Sequence, residues 1–367
     1  MLQLRRVLSR LTEDYLLLAL LLLLPLLLWF SPTTPSELLV LVDWQTVCAL
    51  AGLMLLSRAL EDSGYLARFA VWLLALCHSE RALAALLLLF AASLAAIVTN
   101  DVALFILIPI TLSIGRLTGL AVGRLIIFLA LAVNAGSALT PIGNPQNLVL
   151  WQASGYSFWQ FTVMMAPLAL SLLLLILLIC CFAFAKTTLT IAVPHQNSAD
   201  SRPLFGWSLA GYPLFILAME YQLAPYAAAV VLTAYFVLKR SVISGIDWLL
   251  LLVFSLMFID LGLLAQLPVM QQLAVTLMAL PAGSYTGAAL LSQFISNVPA
   301  AIFLQHFTDD WRALSWGVSV GGFGLAIGSL ANLIALRLSK QTGLWREFHY
   351  WSLTVFAVSF GFGLLIL

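Results

Sequence analysis

Long apolar runs dominate this chain and leave few architectures open. Tyr15–Phe30, Ser171–Ala185 and Phe348–Leu367 contain no Asp, Glu, Lys or Arg. Each approaches the roughly 20 apolar residues that a helix needs to cross a bilayer. Hydrophobic residues are 63% of the sequence and charged residues only 8%, which excludes a soluble globular domain. Inside lipid, only helices and closed barrels satisfy every backbone polar group. Short segments with period-2 alternation, the mark of a barrel, do not occur. The chain is therefore expected to be an all-α polytopic membrane protein.

Nine crossings are expected: 15–31, 38–60, 125–151, 159–185, 204–221, 223–238, 248–267, 312–336 and 348–367. Two further apolar regions, 82–117 and 283–308, are split by a polar tip and read as re-entrant hairpins. In the second, arms of about 12 residues reach about 18 Å, too short for a core of about 30 Å. The first, with longer arms, is assigned by analogy. Segments 66–78 and 268–280 are read as helices at the two interfaces. No small-residue cleavage site follows the first run, so it is read as an uncleaved helix with a cytoplasmic N-terminus. The basic residues agree. Of the 16 Lys and Arg, this arrangement leaves only Arg312 outside.

The sequence also repeats itself. Asp43–Trp44 recurs at Asp247–Trp248, and 60–66 (LEDSGYL) matches 258–264 (FIDLGLL). Residues 98–107 (VTNDVALFIL) match 295–304 (ISNVPAAIFL), and 141–150 (PIGNPQNLVL) match 326–335 (AIGSLANLIA). An odd number of crossings separates the hairpins, so the halves are inverted. Residues 1–190 form one repeat, with the hairpin 82–117 facing the cytoplasm and a broken helix at 125–151. Residues 191–203 form a cytoplasmic linker. Residues 204–367 form the second repeat, with the hairpin 283–308 facing outside and a broken helix at 312–336. Inverted repeats with interrupted helices mark secondary transporters.

The breaks carry the chemistry. Pro141 and Pro145 remove backbone donors, and Gly143 relaxes the backbone. The freed amides and carbonyls are tolerable at membrane depth only against protein, water or a ligand. Thr140, Asn144, Gln146 and Asn147 suit such a cavity. The second break uses Gly322, Gly324 and Gly328, followed by Ser329 and Asn332. At the hairpin tips stand Thr99, Asn100 and Asp101, and Ser296, Asn297, Val298 and Pro299. Helix N-termini there favour an anion, and helix C-termini with unwound carbonyls favour a cation such as sodium. Asn100, Gly143, Asn297 and Gly328 are the candidate sodium ligands.

Asp101 is the one carboxylate at a tip. It is a candidate carrier of a proton or cation, or an N-cap for the second arm. Asp62 and Asp260 occupy equivalent places and are expected to cap or orient the helix that follows. Cys48, Cys77, Cys180 and Cys181 lack metal or redox spacing. His78, His195, His306 and His349 are given no chemistry. No catalytic motif, metal cluster or nucleotide-binding loop occurs, so neither an enzyme nor a resident cofactor is expected, and nothing points to nucleic acid.

These motifs resemble the ion transporter superfamily of arsenite permeases, NhaD-type sodium/proton antiporters, citrate transporters and divalent anion:sodium symporters. NDVALFI, LAVNAGSALTPIGNPQN, SNVPA and GGFGLAIGSLANLIALR look most like the YbiR-type bacterial inner-membrane, anion permease-like proteins. The resemblance implies a homodimer in the bacterial inner membrane. Each protomer would pair a scaffold with a mobile, elevator-type transport domain. The divalent anion symporters carry Ser-Asn-Thr at both tips, whereas this chain has Thr99-Asn100-Asp101 and Ser296-Asn297-Val298. The expectation is an ion-coupled symporter of a small anion or oxyanion, with sodium or proton coupling. The alternatives are sodium/proton antiport through Asp101 and arsenite-type efflux.

Overall fold

In the computed structural model, the described residues are 15–30, 33–74, 77, 79–118, 120–187, 201–339, 341 and 343–367. Residues 1–14, His78, His195, Lys340 and most of the expected linker at 191–203 lie outside them. Every regular element of the described residues is helical. The first half contains α1 (Tyr15–Phe30), α2 (Pro35–Leu41), α3 (Trp44–Asp62), α4 (Tyr65–Leu74), α5 (Glu80–Ile97) and α6 (Asn100–Thr118). It continues with α7 (Gly123–Ser137), α8 (Pro145–Ser154) and α9 (Phe158–Ala183). The second half opens with α10 (Arg202–Glu220), α11 (Ala224–Leu238), α12 (Arg240–Gly245), α13 (Trp248–Gln266) and α14 (Pro268–Met278). The chain then forms α15 (Gly283–Ile295), α16 (Asn297–Leu304), α17 (Trp311–Gly321), a 3-10 turn at Ala326–Gly328, α18 (Leu330–Ser339) and α19 (Leu344–Ile366).

Local chemistry explains where these helices start. Glu37 and Thr34 form a reciprocal capping box at α2, and the bonds from Thr34 hold the Glu37 carboxyl below its ordinary range. A second box, Ser157 with Gln160, opens α9, whose 26 residues reach about 39 Å, enough to cross with tilt. Asp43 caps α3 by accepting from Thr46 N at 3.1 Å. This cap corrects the expected crossing at 38–60: Val42 and Asp43 interrupt it, leaving α2 as a separate short helix before α3.

Large apolar side chains point outward, including Trp29, Phe182, Leu214, Val237 and Leu365, as lipid requires. Among the described residues, α5, α9, α13 and α19 are each long and apolar enough to cross alone. A count of nine must also include shorter and broken helices. The first arm of the expected first hairpin, α5, is thus itself of spanning length. The second hairpin has short arms, α15 and α16, and α14 and α15 meet at 119°.

The two halves repeat one set of packings. The most extensive contacts join α5 to α7 and, at the matching place, α15 to α17. Likewise α3 packs on α11 as α13 packs on α1, and α6 meets α18 as α16 meets α8. Small residues permit the closest approaches. A Cβ on Gly136 of α7 would fall 2.1 Å from Ala92 O of α5, and one on Gly317 of α17 would fall 2.4 Å from Tyr285 O of α15.

The expectation that Asp62 and Asp260 cap the helix that follows is corrected, and of the two readings of Asp101 the N-cap falls. Asp62 ends α3 and pairs with Arg58 at 3.0 Å and Lys239 at 3.9 Å, while Ser63 Oγ accepts from Tyr65 N at the start of α4. Asp260 lies inside α13, which runs on to Gln266, so it caps nothing. Asp101 is the second residue of α6, where Asn100 Oδ1 accepts from Asp101 N at 2.9 Å.

Candidate functional site at the tips and broken helices

The first break runs from Ala138 to Asn144. Asn144 caps α8: its Oδ1 accepts from Asn147 N at 2.8 Å, and Pro145 follows at the first helical position. Its Nδ2 donates to Ser137 Oγ at 3.2 Å. The Asn147 amide nitrogen donates to Ala138 O and Thr140 O, both at 3.0 Å, holding the unwound carbonyls together. Asn147 Oδ1 is buried and has no hydrogen-bond partner among the described residues. Gly143 is required by space, since a Cβ there would lie 2.2 Å from Ser137 O.

The first tip closes onto this break. Asn100 N donates to Gly143 O at 2.8 Å, and Thr140 Oγ1 donates to Ala96 O at 2.6 Å, near the end of α5. Asn100 is buried, whereas Thr99 and Asp101 are partly exposed and form no side-chain hydrogen bond among the described residues.

The second break is held differently. Gln293, on α15, donates to Gly321 O at 2.8 Å and Phe323 O at 3.0 Å, and its Oε1 accepts from Leu325 N at 2.8 Å. Gly324 has φ +92°, and a Cβ there would lie 2.4 Å from Gln293 Oε1. A Cβ on Gly328 would fall 2.5 Å from Gly321 O. From α19, Ser352 Oγ accepts from Gly324 N at 3.0 Å, and His349 Nε2 accepts from Ala326 N at 3.3 Å. Because Nε2 accepts, Nδ1 carries the hydrogen and donates to Trp345 O at 2.6 Å.

At the second tip, Ser296 ends α15 and starts α16 with φ 72° and ψ 157°, a region that only glycine adopts without strain. Asn297 is buried, and its Nδ2 lies 3.0 Å from where a Cβ on Gly322 would sit.

Asn134 of α7 joins the halves. Its Nδ2 donates to Asn332 Oδ1 at 2.8 Å and to Gly322 O at 3.4 Å, and its Oδ1 accepts from Ser329 Oγ at 3.1 Å. Asn332 Nδ2 also donates to Gly322 O at 2.9 Å. A continuous path of contacts thus runs from Asn100 through Gly143, Ser137, Asn134 and Gly322 to Asn297. The sequence singles out most of these residues but not Asn134, Ser137, Gln293 or Ser352, and gives His349 no chemistry. Asn134 and Ser137 lie within the NAGSALTPIGNPQN motif, so the signal was present there. For His349 and Ser352 nothing in the sequence marks the docking of α19 on the break.

Residues 11–321 match the model of a family described as Citrate transporter. The chain belongs to the citrate transporter family. It is a multi-pass membrane transporter and not an enzyme. This citrate transporter family member is similar to the inner membrane protein YbiR of Escherichia coli strain K12, with 42% identity over 92% of each chain. It is also 32% identical to a transporter of Methanocaldococcus jannaschii, over 86% of each chain. A shorter likeness, 29% identity over 37% of this chain and 24% of the relative, joins it to a transporter, arsB, of Dictyostelium discoideum.

In this member of the citrate transporter family, Ser296→Gly should separate stability from transport. Removing the strained φ should raise stability by about 1 kcal/mol, while losing the tip hydroxyl should lower the uptake rate. Parallel thermal melts and proteoliposome flux would check both signs.

Proposed function

We propose that this chain is an ion-coupled secondary transporter of a small anion or oxyanion in the bacterial inner membrane, with its N-terminus in the cytoplasm. The observation that carries this reading is the hydrogen-bonded cluster of the first tip and two unwound helices, with the second tip's Asn297 beside it at Gly322, in which no Lys or Arg among the described residues takes part. The starts of α6, α8 and α16 offer amide groups and positive dipole ends to an anion. Carbonyls of the two breaks, with Asn147 Oδ1, offer oxygen to a cation. Sodium held by Asn100, Gly143, Asn297 and Gly328 would neutralise the site before the anion enters. Citrate is the first substrate to test, given the family. Alternating access would come from an elevator movement of both hairpins and both breaks within a homodimer.

One observation favours a second reading. Asp101 stands in the first turn of α6, where an anion would otherwise dock, and its charge opposes one. Exchange of sodium for a proton at Asp101 uses that charge directly, and arsenite-type efflux tolerates it.

A thermal-shift screen of the purified chain against citrate, phosphate and arsenite, with and without sodium, separates these readings. A ligand at 100 times its Kd stabilises the folded state by about 2.7 kcal/mol. A shift with citrate or phosphate that depends on sodium supports symport. A shift with sodium and pH alone, lost in Asp101→Asn, supports antiport.

A further inference from the structure

Asp62 and Asp260 align in the sequence repeat, yet Asp62 ends α3 whereas Asp260 stands inside α13, and the fold treats them oppositely. Asp62 is partly exposed and lies between Arg58 and Lys239. Asp260 is fully buried, and neither carboxyl oxygen has a hydrogen-bond partner among the described residues. It stands two thirds of the way along α13, a helix apolar enough to cross the membrane.

The charges nearby do not neutralise it. α13 packs on α1, α2, α3, α14 and α16. Between Leu17 and Phe30, α1 has no titratable side chain, and α14 and α16 have none at all. α2 contributes Glu37, exposed and bonded to Thr34. The link to α3 contributes Asp43, bonded to Thr46. His306, beyond α16, is exposed. On α3, Cys48 is partly buried, while Arg58, Glu61 and Asp62 lie together at its far end. That far end is fixed beside the start of α13, because a Cβ on Gly245 would touch Arg58 Nε at 2.8 Å. Asp260 follows Trp248 by 12 residues, so the ion-pair cluster is about 18 Å away along the axis.

An ionised carboxylate so placed, without partner or counter-ion, is strongly disfavoured against its neutral form. A proton removes that cost without any further ligand, whereas a metal ion needs a shell of donors. Among the described residues no group of three or more His, Cys, Asp or Glu could supply such a shell. The partner helix α16 is the returning arm of the second tip, and it begins at Asn297.

We propose that Asp260 is a proton-binding site of the transport cycle, neutral while α16 packs on α13 and ionised when the second hairpin separates from it and water enters. This rests on the transporter reading, but its first test does not. Infrared spectroscopy of the purified full chain at neutral pH should show the carbonyl stretch of a neutral carboxylic acid. The band should survive in Asp101→Asn, shift in Asp260→Glu and vanish in Asp260→Asn. Absence of the band in the wild type, or its persistence in Asp260→Asn, overturns the proposal whether or not any substrate is known. The second test uses proteoliposomes with citrate as probe. A pH gradient should drive citrate accumulation in the wild type, while Asp260→Asn should fall to the level without a gradient and retain citrate–citrate exchange. Gradient-driven accumulation that persists in Asp260→Asn also overturns the proposal. Failure of the wild type to take up citrate counts against citrate as substrate, and the infrared result still decides Asp260.

Discussion

Gly143→Ala should abolish uptake and leave little folded protein to purify. The new Cβ would lie 2.2 Å from Ser137 O and 2.8 Å from Ser137 C and Cα. These are backbone atoms, and they cannot turn aside as a side chain would. Ser137 is also tied to the break through Asn144, and Gly143 O holds Asn100 N at the tip. Relief of the clash must therefore move the tip, the break or both. Overpacking in a well-filled interior costs about 1–3 kcal/mol, and this site has less room to relax than most. Gly206→Ala is the control: nothing lies within 4 Å of its Cβ position, and it should melt and transport like the wild type. Equal behaviour of the two variants in thermal melts would contradict the packing described for the first break.

Asn134→Ala should give the second large effect. It leaves Asn332 Oδ1 and Ser329 Oγ without their partners and takes one of two donors from Gly322 O. Each buried polar group orphaned in this way costs about 1–3 kcal/mol, so a loss of roughly 2–4 kcal/mol is expected. Asn134 carries the hydrogen bonds from α7, just before the first break, to the second break, so transport should fall further than stability alone explains. The double variant with Asn332→Ala should cost less than the two single variants added together, because both remove one interaction. Full additivity in denaturation midpoints would show that the two asparagines act apart.

The sequence made the breaks legible because proline and glycine have no other good reason to sit together in a long apolar run. Pro141, Gly143, Gly322, Gly324 and Gly328 fall where the α-helix is broken, and Pro145 where it resumes. The repeat was legible for the same reason, since its strongest matches lie at tips and breaks. Other features depend on tertiary docking and left no local trace. Asn134 reads as an ordinary polar residue inside a helix until the second break arrives beside it. Besides Ala289 O in its own helix, Gln293 bonds to carbonyls and an amide near the second break, some 30 residues further along the chain. His349 looks like a residue near a membrane face until α19 brings its ring to Ala326. The start of α3 was misjudged because hydropathy passes smoothly over Val42 and Asp43, although Asp43 before Trp44 is a recognisable cap. Asp260 aligns with Asp62 in the repeat, but the capping analogy fails because α3 ends at Asp62 whereas α13 runs on past Asp260 to Gln266.

The unequal fastening of the two breaks sets an order for biogenesis. Everything that ties down the first, from Ala96 to Asn147, leaves the ribosome within one short stretch of chain. The second also needs Ser352 and His349, so it is not fully fastened until α19 has entered the bilayer. Asn134 must wait some 190 residues of synthesis for Gly322, Ser329 and Asn332. A nascent chain halted before residue 349 would therefore carry one finished half and one open seam, a natural substrate for membrane quality control.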